Sequence, residues 1–441
     1  MSQHHHTGYA SVEERNKDLL AKTPSTVPAG AKSALIAGSV LGVVGLAWGF
    51  ATHDPIMWAA VLINFMLLAG ITVGGPVFAA ILSIVGAQWG RPVKRLAELT
   101  IFYAPLAFGL LIVLVIGADQ IWEWTLPHDE IHLHGAKSHW LSKGFVLARA
   151  FLWLGILVLL GRLYVKKSIR PDAGLAQETD ASWGARECNR QAAENFSNVA
   201  EEVEKSHHFL TYLSPWLAFT YAVCFAMLGY DLVMSLDPHW FSTMFGGWMF
   251  MQNLLATVSF IGIVAFTAKH AYHLDDLIGD QQHHDLGKLT FGASIFWAYL
   301  TFAQVIVIWY GNLPEEIGYF KLRIEGQWAP VAVAAGVMCW AFPFLVLMRK
   351  AHKINPTIYR GTALVILAGI WTNFYLLITP AVLKLAEHHG HEVHGIMPTV
   401  PAILVTIGAV SSFVLVYLRS LTKYPIAPIS DPHFVLPKAH L

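Results

Sequence analysis

Arg149 and Asp231 each stand inside an apolar stretch long enough to cross a bilayer, where a charge survives only if it is paired or used. At the middle of such a stretch a charged side chain costs about 2.5–3.5 kcal/mol on insertion scales. Both lie about seven residues, or roughly 10 Å at 1.5 Å per residue, from the same edge of the sheath. Asp119 and Glu123 cap that edge on the preceding stretch, and Tyr230, His239 and Asn253 occupy comparable levels on neighbouring ones. Such a gathering suits proton transfer, in which a carboxylate or imidazole takes a hydroxyl proton inside an aromatic pocket open to lipid. The plainer reading is that Arg149 and Asp231 neutralise each other, or that Arg149 reaches up to the headgroups. Sequence alone leaves both readings open. Gln304, inside a later stretch, reads as an interhelical hydrogen bond or a ligand contact. At the opposite edge Glu98, Tyr103, Lys269 and His270 read either as a proton entrance or as anchors among headgroups.

Metal chemistry finds little support. Cys188, Cys224 and Cys339 stand far apart and form no zinc, iron–sulfur or c-type haem motif. A b-type haem needs paired histidines deep in facing helices, yet His207, His239, His270 and His352 all fall near the ends of apolar stretches. The HHGHEVH run at 388–394 lacks the HExxH spacing and reads as a solvated loop or, alternatively, as a metal-binding run. No metal and no cofactor of its own is expected on this chain, although a quinone remains compatible with it.

The elements that must position these residues are ten apolar stretches, at 33–52, 56–84, 96–118, 142–165, 213–236, 247–271, 289–309, 328–348, 357–378 and 401–418. Each can span a hydrocarbon core that needs about 20 helical residues. A composition of 55% hydrophobic and 13% charged residues leaves too little charge to cover a soluble surface. The expected fold is all-α, a polytopic integral membrane protein of about ten transmembrane helices. Of the 29 Lys and Arg residues, all but Lys137, Lys143, Arg149, Lys321, Arg323 and Lys384 fall on one side of the stretches. The positive-inside rule then places both termini in the cytoplasm. Net charge is zero and the basic loops meet lipid, so no nucleic-acid partner is expected. Residues 1–32 contain no apolar core of a signal peptide, so the first stretch is expected to stay as an uncleaved anchor.

The chain divides into a tail (1–32), four stretches (33–165), a polar connection (166–212), six stretches (213–418) and a second tail (419–441). Within the connection, 185–205 is rich in helix formers and predicts a surface helix. The loop at 119–143 carries Trp122, Trp124 and Trp140 where an interfacial aromatic belt would stand. Gly74, Gly75 and Pro76 interrupt the second stretch, predicting a kink, close helix packing or a hinge.

Two segments are distinctive. SLDPHWFSTMFG (235–246) joins Asp237, His239, Trp240 and Phe241 without a basic residue, and reads as a capping turn or as a neighbour of a quinone headgroup. IVIWYGNLPEE (306–316) follows Gln304 with Trp309, Tyr310, Asn312, Glu315 and Glu316. In a ten-span chain of this length they closely resemble the F-subunit family of alternative complex III, the second quinone-binding-type membrane subunit of bacterial quinol:cytochrome c oxidoreductase. The resemblance covers nearly all the spans. It implies a fold related to the NrfD and polysulfide-reductase anchor subunits, with two four-helix bundles from spans two to five and six to nine and two flanking helices. It implies residence in the bacterial inner membrane beside a sister NrfD-like quinol-binding subunit, a multihaem cytochrome c, an iron–sulfur protein and small membrane subunits, with a terminal oxidase as one electron acceptor. Haem and iron–sulfur centres would then belong to those partners. The sister subunit's corresponding turn reads like IPGWHTTIF, whereas this chain has DPHWFSTMF at 237–245, with the His moved relative to the Trp. The resemblance thus implies a subunit that supports the quinol-oxidising sister and conducts protons rather than one that forms the principal quinol site. The competing classes are a stand-alone secondary transporter, disfavoured by the lack of paired broken helices around a midplane site, and a structural scaffold.

Overall fold

The computed structural model describes residues 12–127, 133, 135–184, 186–192, 194–275, 277–390 and 395–431. Among these, ten helices are long and apolar enough to cross a membrane: α1 (Ala29–Ala51), α2 (Pro55–Ile84), α3 (Gln88–Ile116), α4 (Lys143–Thr179), α5 (Val199–Leu236), α6 (Met244–Ala271), α7 (Asp280–Gly311), α8 (Gly326–Leu347), α9 (Pro356–His388) and α10 (Val400–Leu421). The chain is therefore an all-α, multi-pass membrane protein. Helices α2–α5 pack as one four-helix group and α6–α9 as a second, with α2 touching α6 and α9 across the divide and the α1–α10 pair lying alongside α2.

Helix α2 is the axis of the molecule, since its whole apolar window is buried by other helices. It runs unbroken through Gly74, Gly75 and Pro76. Glycine lets neighbours approach here: a side chain at Gly74 would strike Thr257, and one at Gly75 would strike the Ala97 carbonyl and Thr100. Pro76 has no N–H to donate to the Thr72 carbonyl four residues back. Thr100 of α3 takes that place, its Oγ1 lying 3.0 Å from both the Thr72 and the Ala97 carbonyl oxygens, which share its one proton. Thr100→Val keeps the shape and leaves that buried carbonyl without a donor, so it should cost about 1–3 kcal/mol. Thermal unfolding in detergent checks this; Thr100→Ser, which retains the hydroxyl, should remain close to wild type.

Helix α1 buries only glycines, Gly38, Gly42, Gly45 and Gly49. The first three lie against α10, where Gly42 meets Gly408 backbone to backbone and Gly38 faces Ser411, while Gly49 lies against Met57 of α2. Without a hydrophobic drive between helices in lipid, such small-residue seams supply close van der Waals packing. The rest of α1 is bare, as a lipid-facing helix should be.

The polar connection is shorter than the sequence suggests. Helix α4 stays helical to Thr179 and α5 already begins at Val199, so the expected surface helix over 185–205 is divided into a short helix, Glu187–Ala192, and the first turns of α5. Asn198 caps α5 through Oδ1, which accepts from the Glu201 N–H at 2.8 Å, and that local bond starts a new helix where continuity was anticipated.

On the basic face, Arg95 is buried between two carboxylates: its Nη1 donates to Glu98 at 2.6 Å and its Nη2 to Asp172. The Ser168 hydroxyl donates to Glu98 at 2.7 Å. The chain beyond α10 straps over this network, with the Ser430 N–H and hydroxyl both donating to Asp172 (2.8 and 2.6 Å) and Arg91 pairing with Asp431.

Candidate functional site

The depth match between Arg149 and Asp231 is a direct contact. The Nε and Nη2 of Arg149 donate to the two oxygens of Asp231 at 3.1 and 2.7 Å, the Trp153 indole adds a third donor at 3.3 Å, and the guanidinium lies 3.9 Å from the Trp140 ring centroid. Both residues are buried. The other groups expected near them are dispersed into separate contacts. Asp119 pairs with Lys143 at the exposed rim (2.7 Å), and Glu123 lies 3.6 Å from Lys384. The Tyr230 hydroxyl donates to the Thr243 carbonyl at 2.7 Å, and His239 is exposed. Asn253 is wedged against Gly70 in the core, its Nδ2 donating to Met249. Gln304 is buried with neither amide atom partnered.

Trp122 and Trp124 do not stand in an interfacial belt. They are buried, stacked 5.4 Å apart, and their indole N–H groups donate to the Leu232 carbonyl and the Ser235 hydroxyl, which closes the end of α5. Trp140 is the one of the three left exposed.

At the basic face Glu98 is committed to Arg95, with Lys94 at 3.8 Å, while the Tyr103 hydroxyl lies 3.3 Å from that of Ser412. Lys269 sits 3.9 Å from Asp275, and His270 is exposed. These four residues do not meet as one cluster. Of the 388–394 run, His388 and His389 are described and His391 to His394 lie outside the described residues; among the described residues no group of three or more His, Cys, Asp or Glu could hold a metal.

The most developed site lies in the second bundle, at the face poor in basic residues. The chain leaves α7 through Asn312, whose left-handed conformation (φ 45°) turns it into a short amphipathic helix, Pro314–Ile324. Tyr319 and Arg323, one turn apart, are the residues this helix buries. The Arg323 Nη1 donates to the Tyr319 carbonyl (2.8 Å) and Nη2 to the Leu377 carbonyl of α9 (2.9 Å). Its guanidinium lies 3.5 Å from the Tyr319 ring centroid, and Trp240 stacks on the same ring at 3.7 Å and 7°. The phenol is thus held between an indole and a guanidinium. Trp240 touches Phe245 edge-on, Phe245 touches Trp248, and Trp248 approaches Trp297, so an aromatic ladder descends from the rim into α6 and α7.

Beside this ladder is a cavity of about 550 Å³, walled by Trp248, Trp297, Tyr319, Arg323, Trp340 and Asn373. Ligand clefts commonly enclose about 300–1,000 Å³. Tyr299, Phe302, Ile324 and Trp340 also line it and are exposed, so its mouth opens between α7 and α8 on the surface that faces lipid. A π-helical turn at Val337–Ala341 brings Trp340 to this mouth, and such turns recur at functional sites. Among the described residues, no carboxylate or imidazole lines it.

The Tyr319 hydroxyl, the Trp248 Nε1 and the Arg323 Nε are buried at the cavity without a hydrogen-bond partner. Each such donor costs about 1–3 kcal/mol unless something accepts from it. Burial pulls the Arg323 guanidinium below its ordinary value, with Tyr319 and Asp237 acting in the opposite sense, and burial pushes the Tyr319 phenol up. Deeper in the wall, the Gln252 Oε1 accepts from both Trp297 and Asn373, fixing those two side chains. Neither the sequence of the protein-family models nor that of any curated protein compared with it matches this chain.

Within the distinctive 235–246 segment, it is Trp240, rather than His239, that is buried against the site. Sequence reasoning missed Tyr319, Arg323, Trp248, Gln252 and Asn373. One signal was available for Arg323: it is among the few cations stranded on the side poor in basic residues.

Proposed function

We propose that this chain is a haem-free membrane subunit of a quinol-oxidising electron-transfer complex, and that its second bundle holds the oxidised quinone ring in the cavity between α6, α7, α8 and α9. Under the positive-inside rule both termini are cytoplasmic, which puts the cavity in the outer half of the inner membrane. The observation that carries the reading is the set of unsatisfied donors at Tyr319, Trp248 and Arg323 inside an aromatic cleft open to lipid. A quinone offers the complement: a flat ring for the aromatic walls and carbonyl oxygens that accept hydrogen bonds.

The same chemistry separates the two redox forms. Quinol hydroxyls must hand protons to a base as electrons leave, and among the described residues the cavity wall has no carboxylate or imidazole to receive them. The site therefore favours quinone over quinol. Oxidation belongs to the sister subunit, with the multihaem cytochrome c and the iron–sulfur protein carrying electrons onward, and this chain supports that centre by holding quinone beside it.

Gentle purification from native membrane, followed by subunit identification, haem staining and solvent extraction of bound quinone, tests the proposal. The expected result is co-purification with haem-bearing partners, and loss of most of the quinone attributable to this subunit in Arg323→Gln. A lone haem-free protein, or an unchanged quinone content in an intact Arg323→Gln complex, would overturn it.

A further inference from the structure

A second cavity, of about 680 Å³, lies at the basic face and shares no residue with the first. Its apolar wall comes from Ile101 and Phe102 of α3 and Val165 and Ile169 of α4. Tyr424, just beyond α10, stacks on Phe102 at 5.2 Å and 17° and closes one side. Arg162 and Lys166 stand at its mouth one helical turn apart; both are exposed, and neither has an ion-pair partner among the described residues. Among the described residues, Glu194 is the one carboxylate that lines it.

Depth identifies what such a pair meets. Arg162 lies about 29 Å along α4 from Lys143, and Lys166 about 35 Å, at 1.5 Å per residue. A hydrocarbon core is about 30 Å thick. With Lys143 at one boundary, the two cations fall at the opposite boundary and in the phosphate layer just beyond it. On the same face of the helix, Leu159 lies above both cations and Leu163 between them; both are exposed to lipid and offer a path for acyl chains. Among the described residues, two cations against one carboxylate give the cavity lining a single net positive charge.

We propose that this cavity binds a phospholipid with a singly anionic phosphodiester headgroup, in the leaflet on the basic face. The phosphate bridges Arg162 and Lys166, the headgroup polyol lies toward Glu194, and the glyceryl esters rest on Phe102 and Val165. This site is independent of the quinone reading.

The test is native mass spectrometry of the purified full-length protein, in its complex if it has one, titrated with phosphatidylglycerol, phosphatidylethanolamine or inorganic phosphate. Wild type should retain phosphatidylglycerol selectively. R162Q/K166Q should weaken it by on the order of 30-fold, as expected for two cations at a membrane surface. E194Q removes the opposing charge without touching either cation, and should tighten phosphatidylglycerol binding severalfold; it covers the case in which the double variant fails to fold. Equal retention of phosphatidylethanolamine, phosphatidylglycerol affinity unchanged in a folded R162Q/K166Q protein, or inorganic phosphate binding as tightly as the lipid would each overturn the proposal.

Discussion

Asp231→Asn is expected to destabilise the protein by about 3–5 kcal/mol, because it leaves the Arg149 guanidinium buried without a counter-charge. The loss comes from the stranded cation, not from the worth of the pair. Arg149→Met combined with Asp231→Leu removes both charges, and should recover most of the stability lost in the single variant, since well-packed apolar pairs often replace buried ion pairs at little cost. Unfolding in detergent, with a double-mutant cycle, measures both. The same variants settle the use of Asp231. Its oxygens already accept from Arg149 Nε, Arg149 Nη2 and Trp153, so the pair serves to hold α4 against α5. If the chain serves in the proposed quinol-oxidising complex, turnover per folded copy should stay unchanged in the double variant; a tenfold fall would restore Asp231 to a proton path.

Arg95→Met is expected to have an effect of similar size at the opposite face. Glu98 and Asp172, both buried, would face each other without the cation that separates them. Asp172 also anchors Ser430, so the strap over the network should loosen as well as the bundle. Limited proteolysis reads this directly, as faster cleavage between Thr422 and Asp431. Adding Asp172→Asn to Arg95→Met removes one of the stranded charges and should restore part of the stability. If cleavage is as slow in Arg95→Met as in wild type, the strap does not depend on this cation.

The ten crossings and the all-α fold were legible in the sequence because the apolar windows are long and almost free of charge. The Arg149–Asp231 pair was legible as well, since two opposite charges at one depth on consecutive spans have few other ways to be satisfied. Facing was not legible. Helices α1 and α2 are comparably apolar, yet α2 is wholly enclosed and α1 is mostly bare, because lipid tails and neighbouring helices make the same demand on a side chain. That is also why Asn253, Tyr230 and His239, matched in depth to Asp231, could end in separate contacts. The cavity was hidden for another reason. Tyr319 and Arg323 belong to a short helix that the sequence presents as a polar loop. Their inward direction is set by the left-handed turn at Asn312 and by the Leu377 carbonyl, contributed from a helix far along the chain.

The glycine seam between α1 and α10 bears on how the molecule is made. Helix α1 leaves the ribosome before any partner that can bury Gly38, Gly42 and Gly45, and the partner that does so is separated from it by both bundles. Until α10 is present, the helix contact left to α1 in this fold is with α2, through Gly49 and Met57. Insertion of α10 supplies the missing surface, so the seam is expected to close only after both bundles have entered the bilayer.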